Sequence, residues 1–371
     1  MRVTRLDLRN VRRFDEVSIR PASGLNVLTG GNGAGKSSVL EALHLMAYGR
    51  SFRGRVRDGL VRSGAPALEV FVEWREPVTG SDGSVVGGTE RTRRAGLRHS
   101  GQDWDGRLDG QSIAQLGDLL SALAVVTFEP GSHALVAGSA DIRRRYLDWG
   151  LFHVEQAFTP VWRRYARALR QRNALLKSRA GDAQLDAWDH ELAQAGELLS
   201  GYRETFLARL EPGFRALTGE LAPALGGTAL EYSPGWRKHE LPLADALLLA
   251  RDRDRLAGFT SVGPHRADWR VGFASLPGRE ALSRGQTKLV ALSALLAQAD
   301  HLAAVRGCWP VVALDDLASE LDRDHQERVI DRLLASGAQV WVTGTELPPA
   351  LAAGDRGFSL FHVEHGRIEP R

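Results

Sequence analysis

The chain of 371 residues contains a single cysteine, Cys308, and only two methionines. One thiol excludes an intramolecular disulfide framework and a cysteine-based zinc site, and it suits a reducing compartment. Long apolar runs are also missing. The stretch Leu289 to Ala297 is broken by Ser293 and falls well short of the ~20 residues needed to cross a bilayer, so no membrane span is expected. Residues 1–10 alternate charged and apolar side chains, a strand pattern without the apolar core of an export signal. The expected setting is cytoplasmic. Charge of one sign is not in excess either: the net charge is +3 with a pI near 9.2, too mild to argue for a nucleic-acid partner by itself. Lysine is scarce, with Lys36, Lys177, Lys238 and Lys288 the only four among 48 basic residues.

Two of those four lysines stand in nucleotide-binding patterns. The run Gly30-Gly31-Asn32-Gly33-Ala34-Gly35-Lys36-Ser37 fits the G-x-x-x-x-G-K-[ST] phosphate loop without a mismatch. Glycines there allow positive φ and close backbone approach, so that successive N–H groups, together with the N-terminus of the next helix, can wrap phosphate oxygens. Leu25 to Leu28 reads as the buried strand entering the loop, and Ser38 to Leu43 as the helix leaving it. The loop from Gly30 to Ser38 is therefore expected to bind ATP, with Lys36 on the β and γ phosphates and the Ser37 hydroxyl on Mg²⁺.

The second half of such a site lies near the C-terminus. Val311 to Leu314 is a continuous apolar run of the kind buried in parallel sheets, and it ends in Asp315-Asp316. Asp315 is expected to hold Mg²⁺ opposite Ser37, and Asp316 to orient or deprotonate the attacking water. An acidic turn after a strand is common in isolation; its pairing with a phosphate loop makes the metal reading the stronger one. The expected catalytic set is Lys36, Asp315 and Asp316.

With 43% hydrophobic residues the chain can build a large core, and its length suggests two or three domains. Up to residue 130, strand-like segments (Val3 to Leu8, Leu68 to Trp74, Ala124 to Phe128) alternate with the helix after the loop. Thr79 to Gln102, rich in Gly, Ser, Thr and Arg, reads as an extended hairpin or a surface loop. Residues 131–257 carry helical periodicity and almost no strand signal, with seams at Phe158, Trp162, Tyr165, Leu169 and Leu176 and at Trp188, Leu192, Ala195 and Leu199. They are expected to form an inserted, all-helical arm whose two helices pack as an antiparallel pair. The α/β pattern returns over 258–371, so the nucleotide domain is discontinuous.

Leu282-Ser283-Arg284-Gly285-Gln286-Thr287-Lys288-Leu289 resembles the signature motif of ABC-type ATPases. Ser283 and Gln286 also have capping-box spacing, which would open a long helix through Ala299. Ser319-Glu320-Leu321-Asp322 follows the acidic strand where that class carries its D-loop. In that class the signature of one subunit caps the γ-phosphate bound by another, so Ser283, Gly285 and Gln286 are expected to contact ATP across an ATP-dependent homodimer.

Further segments narrow the resemblance. Gly49-Arg50-Ser51-Phe52-Arg53, Arg143-Arg144-Arg145-Tyr146-Leu147-Asp148 and Gly263-Pro264-His265-Arg266-Ala267-Asp268, with the Leu282 signature, are similar over essentially the whole chain to the RecF family of bacterial recombination mediators. That resemblance implies an α/β, ABC-type (SMC-like) P-loop ATPase head with a short helical arm. It also implies ATP-driven dimerisation on DNA with weak, DNA-dependent hydrolysis, and action with RecR, RecO and RecA in gap repair, replication-linked repair and SOS induction. Arg12, in Asn10-Val11-Arg12-Arg13-Phe14, matches the arginine that SMC-like heads bring near the nucleotide.

Three positions depart from the transporter pattern. Asp316 stands where a glutamate is usual, which suggests slow turnover; Thr343-Gly344-Thr345 lacks the switch histidine; Thr127 to Pro130 lacks a glutamine. For DNA, Arg163, Arg167 and Arg170 fall on one helical face at i, i+4 and i+7 and could track phosphates without reading sequence. The same run includes Arg164 and Arg172; Arg143 to Arg145 and Arg91, Arg93 and Arg94 compete with it. The rival readings are the ATPase subunit of a membrane transporter and a small-molecule kinase, and both leave part of these motifs unexplained.

Overall fold

The computed structural model describes residues 1–54, 56, 59–79, 85–178, 181–276, 282–352 and 357–371. It divides into two compact units, Met1–Ser132 with Ala294–Arg371, and His133–Ser293. The second unit closes at Ser293 and not at residue 257, because the strand Asp268–Phe273 pairs with Thr228–Ser233 and keeps the following segment with it.

The first unit holds two six-stranded sheets. One is mixed, in the order Arg367–Pro370, Phe358–Glu364, Leu25–Thr29, Val340–Gly344, Val311–Leu314, Val125–Phe128. All neighbours in it are parallel except the edge strand Arg367–Pro370. Leu25–Thr29, Val340–Gly344, Val311–Leu314 and Val125–Phe128 are buried at every position, which is why they read as continuous apolar runs without alternation. The other sheet is antiparallel, and its inner strands are Arg2–Val11, Leu68–Thr79, Val85–His99 and Trp104–Leu108. The expected hairpin across residues 79–102 is there, with residues 80–84 outside the described set.

Buried Gln339 ties the two sheets together. Its Oε1 accepts from the Val3 N–H at 2.8 Å, and its Nε2 donates to the carbonyls of Val3 at 2.8 Å and Ala22 at 2.7 Å. A buried amide with its hydrogen-bonding capacity met in this way fixes the spacing of both layers.

The second unit is built on the antiparallel helices Phe158–Ser178 and Asp182–Leu221. Its seam differs from the expected one. Phe158, Tyr165, Ala168, Arg172 and Leu176 are buried, whereas Trp162 is exposed and Trp188 half-buried. Arg172 occupies a core position because carboxylates meet it there: Nε donates to Asp189 at 2.5 Å, and Nη1 to Asp254 at 2.7 Å and the Thr260 hydroxyl at 3.0 Å. Arg203 is held likewise by Asp148, at 2.8 Å through both Nε and Nη2, and donates to the Pro264 carbonyl at 2.7 Å.

The unit is not all-helical. Thr228–Ser233 lies within the expected arm and pairs antiparallel with Asp268–Phe273. Its half-buried residues give no clean alternation, and its partner lies far along the sequence, so strand periodicity is weak. The Gly263 to Asp268 segment is a structural clasp. Asp268 accepts from Nε and Nη2 along one edge of the buried Arg143 guanidinium at 2.6 and 3.0 Å, Arg144 donates to the Ala267 carbonyl at 2.8 Å, and His265 lies between the Tyr165 hydroxyl at 2.7 Å and the Thr260 carbonyl at 2.9 Å. Burial lowers the pKa of His265 to about 4, so it is neutral and acts as a core hydrogen-bonding residue.

Among the described residues one helix, Arg284–Arg306, has the length and mean hydropathy of a membrane span, and 61% of its apolar window is buried in the protein. That burial is what a core helix shows.

Replacing Asp254 with alanine leaves the Arg172 charge buried beside a single remaining carboxylate. We expect the second unit to lose about 3–5 kcal/mol, the usual cost of removing one partner of a buried pair. Urea denaturation followed by circular dichroism checks this; an unchanged midpoint contradicts the assigned role.

Candidate functional site

The parallel register assembles the site. Thr29 pairs with Gly344, and Leu314 pairs with both Val342 and Phe128, so the strands end together with Gly30, Asp315 and Thr343 at one edge. That edge is where ligands bind in open α/β sheets.

Residues 30–36 form the loop that the motif predicted. Gly30, Gly33 and Gly35 have φ of 149°, 74° and 118°. At two of these positions a side chain has no room: a Cβ on Gly30 would stand 2.1 Å from the Val363 carbonyl oxygen, and one on Gly35 2.9 Å from the buried Phe14 ring. The helix Lys36–Tyr48 follows directly, without a side-chain cap, so its first N–H groups are available to a ligand. Lys36 folds back to donate to the Gly30 and Gly31 carbonyls at 2.8 and 3.0 Å. Burial lowers its pKa below the ordinary lysine value, opposed by the charges of Asp316 and Asp315.

A cavity of about 390 Å³ opens on this loop, lined by Arg12, Arg13, Gly33, Gly35, Lys36, Ser37, Ser38 and Arg53. Four cationic side chains converge there, a charge that suits a polyphosphate. The rim is fixed from within. Glu41, fully buried, takes two hydrogen bonds from Arg12 at 3.1 and 2.6 Å and one from the Ser51 hydroxyl, whose oxygen accepts the Arg53 N–H at 2.9 Å. One carboxylate thus positions Arg12 directly and the Arg53 backbone through Ser51. Arg12 also donates to the Gly59 carbonyl at 2.9 Å.

Asp315 is buried at the end of its strand. Its Oδ1 accepts from the Thr343 hydroxyl at 2.7 Å, and Arg53 stands 3.8 Å from Oδ2. Asp316 has φ 53°, a left-handed conformation uncommon for a residue other than glycine, and its N–H donates to Thr343 Oγ1 at 2.9 Å. Thr343 therefore holds both acidic residues in place. Ser37 is half-buried in the cavity wall. No group of three or more potential metal-ligating His, Cys, Asp or Glu side chains occurs among the described residues. The hydroxyl of Ser37 and the carboxylate of Asp315 suit Mg²⁺, which takes few protein ligands and completes its shell with phosphate and water oxygens.

Of the residues singled out in the sequence, Gly33, Gly35, Lys36, Ser37, Ser38 and Arg12 line this cavity, Gly30, Gly31, Asn32 and Ala34 complete the loop without lining it, and Asp315 and Asp316 stand at the strand edge beside it. Sequence reasoning missed Arg13, Arg53, Glu41 and Thr343. Glu41 gave a usable signal, a lone carboxylate in the apolar run Val39 to Ala47. Thr343 gave none, because a threonine ending a strand is ordinary.

Ser283 and Gln286 form a reciprocal capping box: the Ser283 N–H donates to Gln286 Oε1 at 2.9 Å, and the Gln286 N–H to Ser283 Oγ at 3.2 Å. The helix opened by this box runs Arg284–Arg306, beyond the expected end. Ser283, Arg284 and Gly285 are exposed. Asp322 caps the helix Arg323–Ala335 through the His325 N–H at 3.0 Å.

Among the basic residues, Arg163, Arg167 and Arg170 are exposed on one helix. Their competitors are engaged elsewhere: Arg172 and Arg143 are buried in ion pairs, Arg164 is bidentate on Glu191 at 2.5 and 2.7 Å, and Arg145 pairs with Asp141. Arg91, Arg93 and Arg94 lie against Glu76, Asp109 and Glu73 at 2.6, 2.8 and 2.9 Å.

The RecF/RecN/SMC N-terminal domain family matches residues 2–369. The chain is 64% identical to the DNA replication and repair protein RecF of Stenotrophomonas maltophilia, over 99% of each chain, and 62% identical to that of Xanthomonas oryzae pv. oryzae over the full length of both. Among solved structures, the recombination mediator RecF with ATP superposes with a TM-score of 0.85 at 24% identity, covering 100% of this chain and 97% of that one. An SMC head bound to a winged-helix domain of ScpA gives 0.56 at 15%, with 100% and 97% covered.

Replacing Thr343 with valine keeps the shape and removes the hydroxyl that positions Asp315 and Asp316. Nucleotide affinity should stay close to wild type, while phosphate release falls about 10- to 100-fold, as for other residues that orient a metal ligand. Thr343→Ser should recover most of the rate. Equal turnover in the valine variant contradicts the assignment.

Proposed function

The chain belongs to the RecF family of DNA replication and repair proteins, and from that premise we propose that it is an ATP-gated DNA clamp with slow hydrolysis. The observation that carries this reading is the cavity at the strand edge, where a glycine loop, four cations and a buried aspartate converge. It suits a magnesium-bound nucleoside triphosphate, and a structurally similar RecF is described with ATP.

In this reading Lys36 exchanges the Gly30 and Gly31 carbonyls for phosphate oxygens, which the loop N–H groups also meet. Ser37 and Asp315 would hold Mg²⁺, which when bound would supply positive charge to a phosphoryl group in transfer. Asp316, fixed by Thr343, accepts or orients the attacking water's proton. A short carboxylate in a strained backbone position reaches less far than a glutamate, in keeping with a weak, DNA-dependent ATPase that times a conformational state.

Ser283, Gly285 and Gln286 would complete the site of a second copy, making ATP the bond of a homodimer. Exposure of Ser283 and Gly285 at the N-terminus of a long helix supports this role. The capping box accounts for Ser283 and Gln286 locally, so their intermolecular contact is the part that needs a test. Arg163, Arg167 and Arg170, exposed along one helix face, would follow the DNA backbone without reading sequence. In this reading the clamp would act in the cytoplasm, in gap repair, replication-linked repair and SOS induction. Its partners there would be RecR, and through it RecO and RecA; the RecF of known structure is assigned to a RecFOR pathway. Family membership over nearly the whole chain leaves no support for a transporter subunit.

Light scattering of the full chain, with and without ATP and a short duplex, tests the clamp. Wild type should dimerise with ATP, more readily with DNA. Ser283→Arg should still bind ATP but weaken the dimer by about tenfold or more, or ~1.4 kcal/mol. ATP dimers of normal strength in that variant would refute the shared site.

A further inference from the structure

The second unit carries an apolar and cationic patch that the proposed ATPase cycle does not use. The helix Leu243–Ala257 buries Leu243, Ala246, Leu247, Ala250 and Asp254. Its other side presents Leu248, Leu249 and Leu256 at 57%, 79% and 92% exposure, and just beyond the Gly258 cap Phe259 is 44% exposed. A single exposed leucine is ordinary. Several large apolar side chains gathered within so short a stretch form the kind of surface that marks an interaction site.

Exposed Asp252 divides this surface, and the cations gather on the Phe259 half. Arg266 lies over the Phe259 ring, its guanidinium carbon 5.2 Å from the centroid, and donates to the Thr260 carbonyl at 3.4 Å. Arg253 donates to the neutral Ser261 hydroxyl at 3.1 and 2.7 Å. Lys177, from the adjacent helix, is exposed and passes Gly258 with its Cγ 3.7 Å from where a Cβ would stand. Among the described residues none of these three meets a carboxylate, whereas neighbouring Arg255 pairs with Asp182 at 2.5 Å. The negative end of the helix dipole explains a cation in the last turn, such as Arg255. It does not explain why Arg266 and Lys177 come from other segments to the same spot without a counter-charge.

We propose that Leu256, Phe259, Lys177, Arg253 and Arg266 form a docking site for an acidic, apolar peptide segment of a partner protein. Leucine or aromatic side chains of that segment would cover Leu256 and Phe259, and its carboxylates would meet the three cations. Long cationic side chains over an aromatic ring also suit a single-stranded nucleic acid. A phosphate backbone would leave Leu256 uncovered, so the peptide is the better complement. The inference is independent of the nucleotide reading.

Panning the full chain against a displayed library of random twelve-residue peptides tests it. Enriched sequences should combine Asp or Glu with Leu, Phe or Trp, and a synthetic copy should bind in fluorescence anisotropy with an affinity that falls as salt rises. The double replacement Leu256→Ser, Phe259→Ser and the charge reversal Arg266→Glu should each weaken that peptide by about tenfold or more. All three positions are exposed, so an unchanged melting temperature accompanies the loss. Enriched peptides without acidic-apolar character, or equal binding by the variants, overturns the proposal. So does an oligothymidylate that loses binding to the variants while the peptide does not.

Discussion

The parallel register of four short buried strands is the constraint on which the rest of the site depends. Leu25–Thr29, Val340–Gly344, Val311–Leu314 and Val125–Phe128 end at one level, so a glycine loop, a hydroxyl and two carboxylates from distant parts of the chain meet there. Each strand is only four or five residues long, buried at every position and mostly apolar, with Asn26 and Thr127 as interior polar exceptions. A slip of one residue would turn Asp315 away from Thr343, with a buried charge left unmatched. Gln339 carries the same register outward, by hydrogen bonds to Val3 and Ala22. The candidate site at this edge and the packing of the two sheets are in this sense set by the same pairings.

Arginine chemistry explains much of the remaining architecture. Arg12 on Glu41, Arg143 on Asp268 and Arg203 on Asp148 each use two guanidinium nitrogens on one carboxylate, and Arg172 spreads its contacts over Asp189 and Asp254. The planar fork suits such pairing, and a lysine in its place would lose the second bond. An arginine-rich composition with few lysines is therefore partly an internal matter. The basic surface open to a partner is smaller than the composition implies, since Arg12, Arg143, Arg172 and Arg203 are committed to internal carboxylates.

Much of the site was legible because its chemistry demands fixed spacing. Gly30 to Ser37 can be read from the sequence since backbone N–H groups, lysine and hydroxyl must follow one another along a single turn, and Asp315 because an acidic end to an apolar strand is unusual. Glu41 and Thr343 act through partners far away in sequence, and neither has a spacing rule. The arm shows the same limit. Its helices follow from periodicity, but the position of Arg172 in the core depends on Asp189 and Asp254, which no local pattern links to it. The strand Thr228–Ser233 is stabilised by a partner beyond the Gly263 to Asp268 clasp, and half-burial erases its alternation. His265, conspicuous in the sequence, proved to be a neutral core residue with both ring nitrogens engaged.

The central claim is that the strand edge binds a magnesium nucleoside triphosphate through Lys36. Calorimetric titration of Mg-ATP into the wild-type chain and into Lys36→Ala tests it most directly. The account predicts a single saturable site per chain in the wild type. It also predicts an affinity lower by about 100-fold or more in the variant, the loss expected when a charge-assisted contact to phosphate is removed. Equal affinity in the two proteins would contradict it.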